Sequence, residues 1–240
     1  MSTPQSFQFD RQFEIGSFQV NPSGFLRIKD LADLFQEVAW RHADSGDFGR
    51  VLQKENRMWV LSRLEIQVLR MPVWGDAVRV FTAGRGVEGL FAFREFLMVD
   101  AVGNPLAKGM SSWLLLDAET KRITKPESVL PPELFQLNKK PEWIPEKHRI
   151  KEFGEKSHEV RVQPSDLDLQ NHVNNTSYLR WIEDWAVLQG RNIAFISINY
   201  LAECFLGDQV EVFSSFQEGK QQIVGMIEGR TVFTARLKLK

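Results

Sequence analysis

The segment Asp166-Leu167-Asp168-Leu169-Gln170-Asn171-His172-Val173-Asn174-Asn175 places two carboxylates, one imidazole and four side-chain amides within ten residues. A helical pattern begins directly after it, so Asn174 or Asn175 can cap that helix and His172 falls just outside its first turn. The leading amides of a helix have no internal acceptors and carry the positive end of its dipole. A carbonyl oxygen that gains negative charge during reaction is stabilised in such a place. Imidazole, carboxylate and helix end together suit acid–base chemistry on an acyl group. Glu203, farther along, is a third carboxylate that could take part. Bland readings stand beside these. A histidine before a helix can be structural, Asp166 and Asp168 can shape a turn, and Glu203 can pair with an arginine. Cys204 adjoins Glu203, points to the opposite face of a regular strand, and reads as a small buried residue instead of a nucleophile. It is the only cysteine, and the four histidines are scattered, so no disulfide, metal or cofactor is expected. His42, near the apolar stripe of an early helix, reads as packing or surface. Gly84-Arg85-Gly86-Val87-Glu88-Gly89 matches a dinucleotide fingerprint, but the strand-like Leu90-Phe91-Ala92-Phe93-Arg94-Glu95-Phe96 follows where a helix is required, so a glycine-rich hairpin is expected.

The elements that must position these groups occur twice. Val20-Asn21-Pro22-Ser23 and Val162-Gln163-Pro164-Ser165 each precede a helical pattern. Ile28, Leu31, Leu34, Phe35, Val38 and Ala39 share one helix face in the first copy; Tyr178, Trp181, Ile182, Trp185 and Ala186 share one in the second. Trp74-Gly75-Asp76-Ala77-Val78-Arg79-Val80-Phe81-Thr82 matches Leu206-Gly207-Asp208-Gln209-Val210-Glu211-Val212-Phe213-Ser214, a turn leading into an alternating strand. Both copies end in further strand-like runs. The pattern predicts an α+β protein in which each antiparallel sheet curls around a helix, with the two units meeting edge to edge. The units are expected at 1–119 and 157–240. Residues 120–156 read as a proline-rich linker whose Leu134, Phe135, Trp143 and Ile144 pack across the units.

Aligned without a gap at Ser62 and Ser197, the copies differ in one respect. Leu64, Ile66 and Val68 become Asn199, Leu201 and Glu203, and side chains two apart share a sheet face. An aliphatic face would thus turn polar, at about 1–3 kcal/mol per unmatched group, which points to a chemical role. The second copy is also expected to carry a few more residues between its Pro-Ser and its helix.

The chain has 240 residues and a formal net charge of −1, so no global field favours nucleic acid or an acidic membrane surface. The longest apolar runs, such as Trp113-Leu114-Leu115-Leu116, fall far short of a membrane span. The first residues lack a secretory pattern, and a cytoplasmic location is expected.

Asp166-Leu167-Asp168 with His172-Val173-Asn174-Asn175, Tyr178 and Trp181 resembles the signature of plant and bacterial acyl-acyl carrier protein thioesterases. Tyr200-Leu201-Ala202-Glu203-Cys204 resembles that family's second motif. Trp59-Val60-Leu61-Ser62-Arg63, Trp74-Gly75-Asp76 and Ser111-Ser112-Trp113-Leu114-Leu115-Leu116-Asp117 extend the likeness over nearly the whole chain. The resemblance implies a tandem (double) hotdog without metal or cofactor, hydrolysing a fatty acyl thioester carried on an acyl carrier protein. It implies an acyl chain held largely by the first unit and catalysis by the second. Asp168 would orient the catalytic groups, His172 would position or polarise the reacting atoms, and Glu203 would activate water. Where the family usually has Asn two residues before the histidine, this chain has Gln170, with Asn171 beside it; either amide could meet the thioester oxygen. Coenzyme A as carrier, a non-catalytic acyl-binding protein and a hotdog dehydratase are the alternatives. Lys139, Lys140, Lys147, Arg149 and Lys151 form a candidate strip for an acidic carrier. A homodimer is allowed, and chain-length preference is not legible.

Overall fold

The computed structural model describes residues 6–45, 52, 54–129, 140–150, 152–217 and 219–240. Two helices lie where the apolar spacing puts them. Helix α1 (Ile28–Ser45) buries Ile28, Leu31, Leu34, Phe35, Val38 and Ala39. Helix α2 (Asn175–Leu188) buries Tyr178, Trp181, Ile182, Trp185 and Ala186. Each stripe gives the helix one face to lay against a sheet. Of the two candidate caps for α2 it is Asn174 that serves: its Oδ1 accepts from Thr176 N at 3.1 Å.

In the first half the strands are β1 (Phe9–Glu14), β2 (Arg57–Val68), β3 (Ala77–Glu88), β4 (Phe91–Asp100), β5 (Pro105–Asp117) and the short β6 (Ile123–Thr124). In the second they are β7 (Glu155–Arg161), β8 (Ile193–Tyr200), β9 (Gln209–Gln217), β10 (Lys220–Ile227) and β11 (Arg230–Leu239). All join one sheet in the order β1-β3-β4-β5-β2-β8-β11-β10-β9-β7, with β6 beside β5. Strands β3 and β4 pair antiparallel through the expected glycine-rich hairpin. A curved antiparallel sheet with one long helix for each half is a double hotdog.

The halves meet where β2 pairs with β8. Glu65 lies opposite Ser197, Leu64 opposite Ile198 and Ile66 opposite Ile196. A half-turn about the Glu65–Ser197 pair therefore exchanges the halves, carrying Leu64 onto Ile196 and Ile66 onto Ile198. The alignment at Ser62 and Ser197 is out by three residues, and an odd slip moves every side chain to the other face. The aliphatic face of β2 is thus repeated in β8, where Ile196 and Ile198 are fully buried. Asn199 belongs to the opposite face. Leu201 and Glu203 lie beyond the end of β8, and Leu201 is 53% exposed.

That opposite face is covered by the connecting segment, and the contacts are polar. His148 N donates to Asn199 Oδ1 at 2.8 Å, and Asn199 Nδ2 donates to Glu146 O at 3.0 Å. Arg63 Nη1 donates to Pro145 O at 3.1 Å. The Glu65 carboxylate accepts from Glu146 N and from Ser197 Oγ, each at 3.0 Å. Ser197 has only one proton to give, so the His148 ring donates from Nε2 to Ser197 Oγ at 2.9 Å. Its Nδ1 then accepts from Thr234 Oγ1 at 3.2 Å. The Asn199 polarity that sequence comparison assigned to chemistry is therefore spent on holding the connection. Of the apolar linker residues expected to pack, Trp143 is half-buried and Ile144 is 45% exposed, while Leu134 and Phe135 lie outside the described residues.

Burial holds His148 near pKa 4, from an ordinary 6.5, and the nearby Arg236 adds to the effect. The folded state disfavours the imidazolium, so the stability His148 contributes is complete above about 6.5 and is lost as pH falls toward 4. Denaturant unfolding of wild type and His148→Gln across that range should show a gap that closes on acidification. A gap independent of pH would rule out the buried neutral imidazole.

Candidate active site

The loop before α2 is built from side chains that bond to its own backbone. A short 3-10 turn, Pro164–Asp166, opens it. Asp166 is fully buried; its Oδ2 accepts from Gln163 N at 2.8 Å and its Oδ1 pairs with Arg180 of α2. It anchors the loop to the helix. Asp168 Oδ1 then accepts from Gln170 N at 2.8 Å and from His172 N at 3.1 Å. Asn171 closes this turn at φ 62°, a left-handed conformation that asparagine tolerates well. Leu167 bridges to Val173, and Val173 N donates to Cys204 O at 3.0 Å. This last bond ties the loop to the segment after β8.

The consequence is that His172 and Glu203, far apart in sequence, become neighbours. His172 Nδ1 lies 3.4 Å from Glu203 Oε1, with the imidazole mostly covered and the carboxylate 45% exposed. The edge of Phe205 supports the ring, with centroids 5.2 Å apart and planes at 87°. Tyr200 Oη donates to Asn175 O at 3.0 Å, fixing the first turn of α2. No acceptor meets Asn175 N among the described residues. The loop thus brings a carboxylate and an imidazole together and leaves the first amide of the following helix open. The side chains of Gln170 and Asn171 are exposed, and neither bonds to His172 or Glu203 among the described residues. Asp168 is half-buried and acts on His172 through the backbone.

The first half repeats the turn, the bridge and the backbone ties of this scaffold. Asn21 Oδ1 accepts from Ser23 N and Phe25 N at 3.0 and 3.1 Å, as Asp168 does from its loop. Val20 bridges to Leu26, and Leu26 N donates to Pro72 O at 2.9 Å. Asp76 Oδ2 accepts from Val73 N as Asp208 Oδ2 accepts from Phe205 N. The two loops have the same length, so no extra residues precede α2; matching the Pro-Ser pairs had shifted the comparison. Under the correct pairing Phe25 stands where His172 stands, and Met71 where Glu203 stands. Geometry is shared while chemistry belongs to one copy. Phe205 was not singled out from sequence; its signal was adjacency to the Glu203-Cys204 pair.

Cys204 is buried, and desolvation pushes its thiol up to about 11, outweighing a bond to Tyr178. Burial likewise drives the Tyr178 phenol upward. A thiol so placed is a poor nucleophile. No cluster that could hold a metal is present among the described residues, and none of their helices is long and apolar enough to cross a membrane.

A double hotdog with one acid–histidine site at a helix end defines the class of protein. Comparison with known proteins narrows it. Residues 6–132 match the acyl-ACP thioesterase N-terminal domain and residues 147–232 the C-terminal domain. The chain belongs to the acyl-ACP thioesterase family. It is 29% identical over 216 residues to a chloroplastic palmitoyl-acyl carrier protein thioesterase of Gossypium hirsutum, covering 82% of this chain and 52% of that protein. It is 28% identical over 239 residues to a dodecanoyl-[acyl-carrier-protein] hydrolase of Cinnamomum camphora, covering 91% and 62%. The chain thus spans about half to two thirds of the length of these curated relatives. An acyl-ACP thioesterase structure from Bacteroides thetaiotaomicron superposes with a TM-score of 0.83 at 25% identity, over 96% of this chain and 97% of that one. The 12:0-ACP thioesterase of Umbellularia californica shares the fold, with a TM-score of 0.80 at 24% identity over 97% and 96% of the two chains.

Iodoacetamide at mildly alkaline pH should leave folded protein unlabelled and label Cys204 only after denaturation. Rapid modification of the native protein would place the thiol in the reaction after all.

Proposed function

We propose that this protein hydrolyses fatty acyl thioesters on an acyl carrier protein, releasing the free fatty acid and the holo-carrier. The observation that carries this is the approach of His172 to Glu203, at 3.4 Å, on the loop that leads into the open first amide of α2. Glu203 removes a proton from water as the water oxygen attacks the carbonyl carbon. The electron pair moves to the carbonyl oxygen, where the helix amide stabilises it. Its return expels the thiolate of phosphopantetheine, which takes the proton that the water lost. His172 positions the water and the carboxylate, and Asp168 holds His172 through its backbone amide. The amides of Gln170 and Asn171, both exposed, meet the incoming substrate rather than the acid–histidine pair.

The acyl chain is assigned to the first half, whose equivalent loop offers Phe25 and Met71 in place of ionisable groups. Leu169, Leu201, Phe205 and Leu206 are exposed on the two loops that carry the site and form an apolar rim for the pantetheine arm. Lys140, Lys147 and Arg149 are exposed and support an acidic carrier as partner; Lys139 and Lys151 of the same strip lie outside the described residues.

The purified chain should release free acid from acyl-carrier thioesters, followed by mass spectrometry, and should turn over the matching coenzyme A esters more slowly. Glu203→Gln and His172→Ala should each lower kcat by about a hundred- to ten-thousand-fold, and full activity in either variant would refute the assignment. Asp168→Asn separates shape from charge, because Asn21 already makes the same turn with a neutral amide. Its melting temperature should stay within a few degrees of wild type and kcat should stay near wild type, because the bond to His172 N is kept; a collapse of the fold would contradict the equivalence of the two loops.

A further inference from the structure

Helix α2 reaches across to the start of α1 through Glu183. Its Oε1 and Oε2 accept from Ile28 N at 2.9 and 3.0 Å, and Oε2 also lies 3.4 Å from Lys29 N. The first amides of α1 are therefore filled by carboxyl oxygens from the protein itself. Partial burial raises this carboxyl to about 7, while the Ile28 and Lys29 amides pull it back down. Glu183 thus occupies, on the copy without His172 and Glu203, the place that a developing oxyanion would occupy on the copy that has them.

The half-turn that exchanges the halves gives each residue of α2 its counterpart on α1. The equivalent loops carry Phe25 onto His172 and Leu26 onto Val173, so Ile28 maps onto Asn175, where α2 begins. Counting along both helices in step, Leu31 maps onto Tyr178, Phe35 onto Ile182 and Gln36 onto Glu183. The buried stripes agree with this count at every position from Leu31 to Ala39. Glu183 reaches the start of α1; its counterpart on α1 under the same operation is Gln36, which is half-buried. At the start of α2, Thr176 N is already bonded to Asn174, and Asn175 N is open among the described residues.

The carboxylate that closes the silent helix end thus has a neutral amide as its counterpart on the other helix. The difference has a physical consequence. A carboxylate only accepts hydrogen bonds, so it would occupy the amide and repel both Glu203 and a developing oxyanion, whereas a carboxamide has two N–H donors. We infer that Gln36, supplied by the first half, is a further catalytic residue that donates a side-chain N–H to the thioester oxygen, together with Asn175 N. Gln36 keeps its protons throughout; it lowers the energy of the tetrahedral intermediate while water adds and the C–S bond breaks. This rests on the hydrolytic reading of the α2 site.

The full chain is assayed on an acyl-carrier thioester beside His172→Ala and Glu37→Gln, the latter an exposed neighbour paired with Arg41. Gln36→Met, which keeps length but has no donor, should lower kcat about ten- to a thousand-fold with KM changed by less than about threefold. Gln36→Glu should be at least as impaired, and its structure should show the new carboxylate on Asn175 N as Glu183 sits on Ile28 N. Far-UV circular dichroism and thermal melts confirm that the variants are folded. Wild-type kcat in both variants, or a rise in KM alone, overturns the role of Gln36 when His172→Ala is inactive. If wild-type protein hydrolyses no acyl thioester, it is the hydrolytic reading that fails, and the inference about Gln36 falls with it; the folded Gln36→Glu structure then still tests the helix-end geometry.

Discussion

Strand pairing between β2 and β8 is the constraint from which the remaining geometry follows. Each half alone would leave one long strand with unpaired backbone groups, an edge open to association. Pairing them removes both edges and fixes a register, Glu65 opposite Ser197, that no hydrophobic contact between helices could specify so closely. Once that register is set, α1 and α2 are packed against each other, and α2 presents a side chain to the start of α1. Glu183 on Ile28 N is the direct sign of that placement.

Duplication made it possible to separate shape from chemistry. Both loops use an Asx-type turn, a short bridge and a backbone bond to the segment after the central strand. These bonds need only an oxygen acceptor at Asn21 or Asp168 and backbone amides elsewhere, so the positions of Phe25 and Met71, or of His172 and Glu203, are free to vary. Changing them costs the scaffold little. One copy could acquire ionisable groups while its twin kept apolar ones, and the helix end in the twin could be closed by a carboxylate.

The seam also shows how polar groups are tolerated where two sheets merge. Glu65, Ser197, Asn199 and Thr234 line one side of the central strands, and each finds a partner in the segment from Pro145 to His148 or in a neighbouring strand. Unpaired, such groups would be costly to bury. Paired, they pin the connection across the junction and fix the neutral tautomer of His148. The connection thereby closes the face of the seam that the helices do not cover.

Much of the architecture was legible in the residues. The apolar stripes of both helices, the hairpin after Gly84 and the repeated Gly-Asp turn follow from periodicity and local backbone chemistry, which act over a few residues. The grouping of Asp168, His172 and a helix start was legible for the same reason. The meeting of His172 with Glu203 came from resemblance, because nothing local links a loop before a helix to a loop after a strand. Strand register was misread by three residues, since an aliphatic face and a polar face alternate at the same period and Ser62 offers a false match to Ser197. What sequence alone determined were the elements and the residue types that could react; tertiary structure decided which face of β8 is buried, what Asn199 bonds to, and that Glu183 closes the start of α1, because those depend on pairing between strands and helices far apart in the chain.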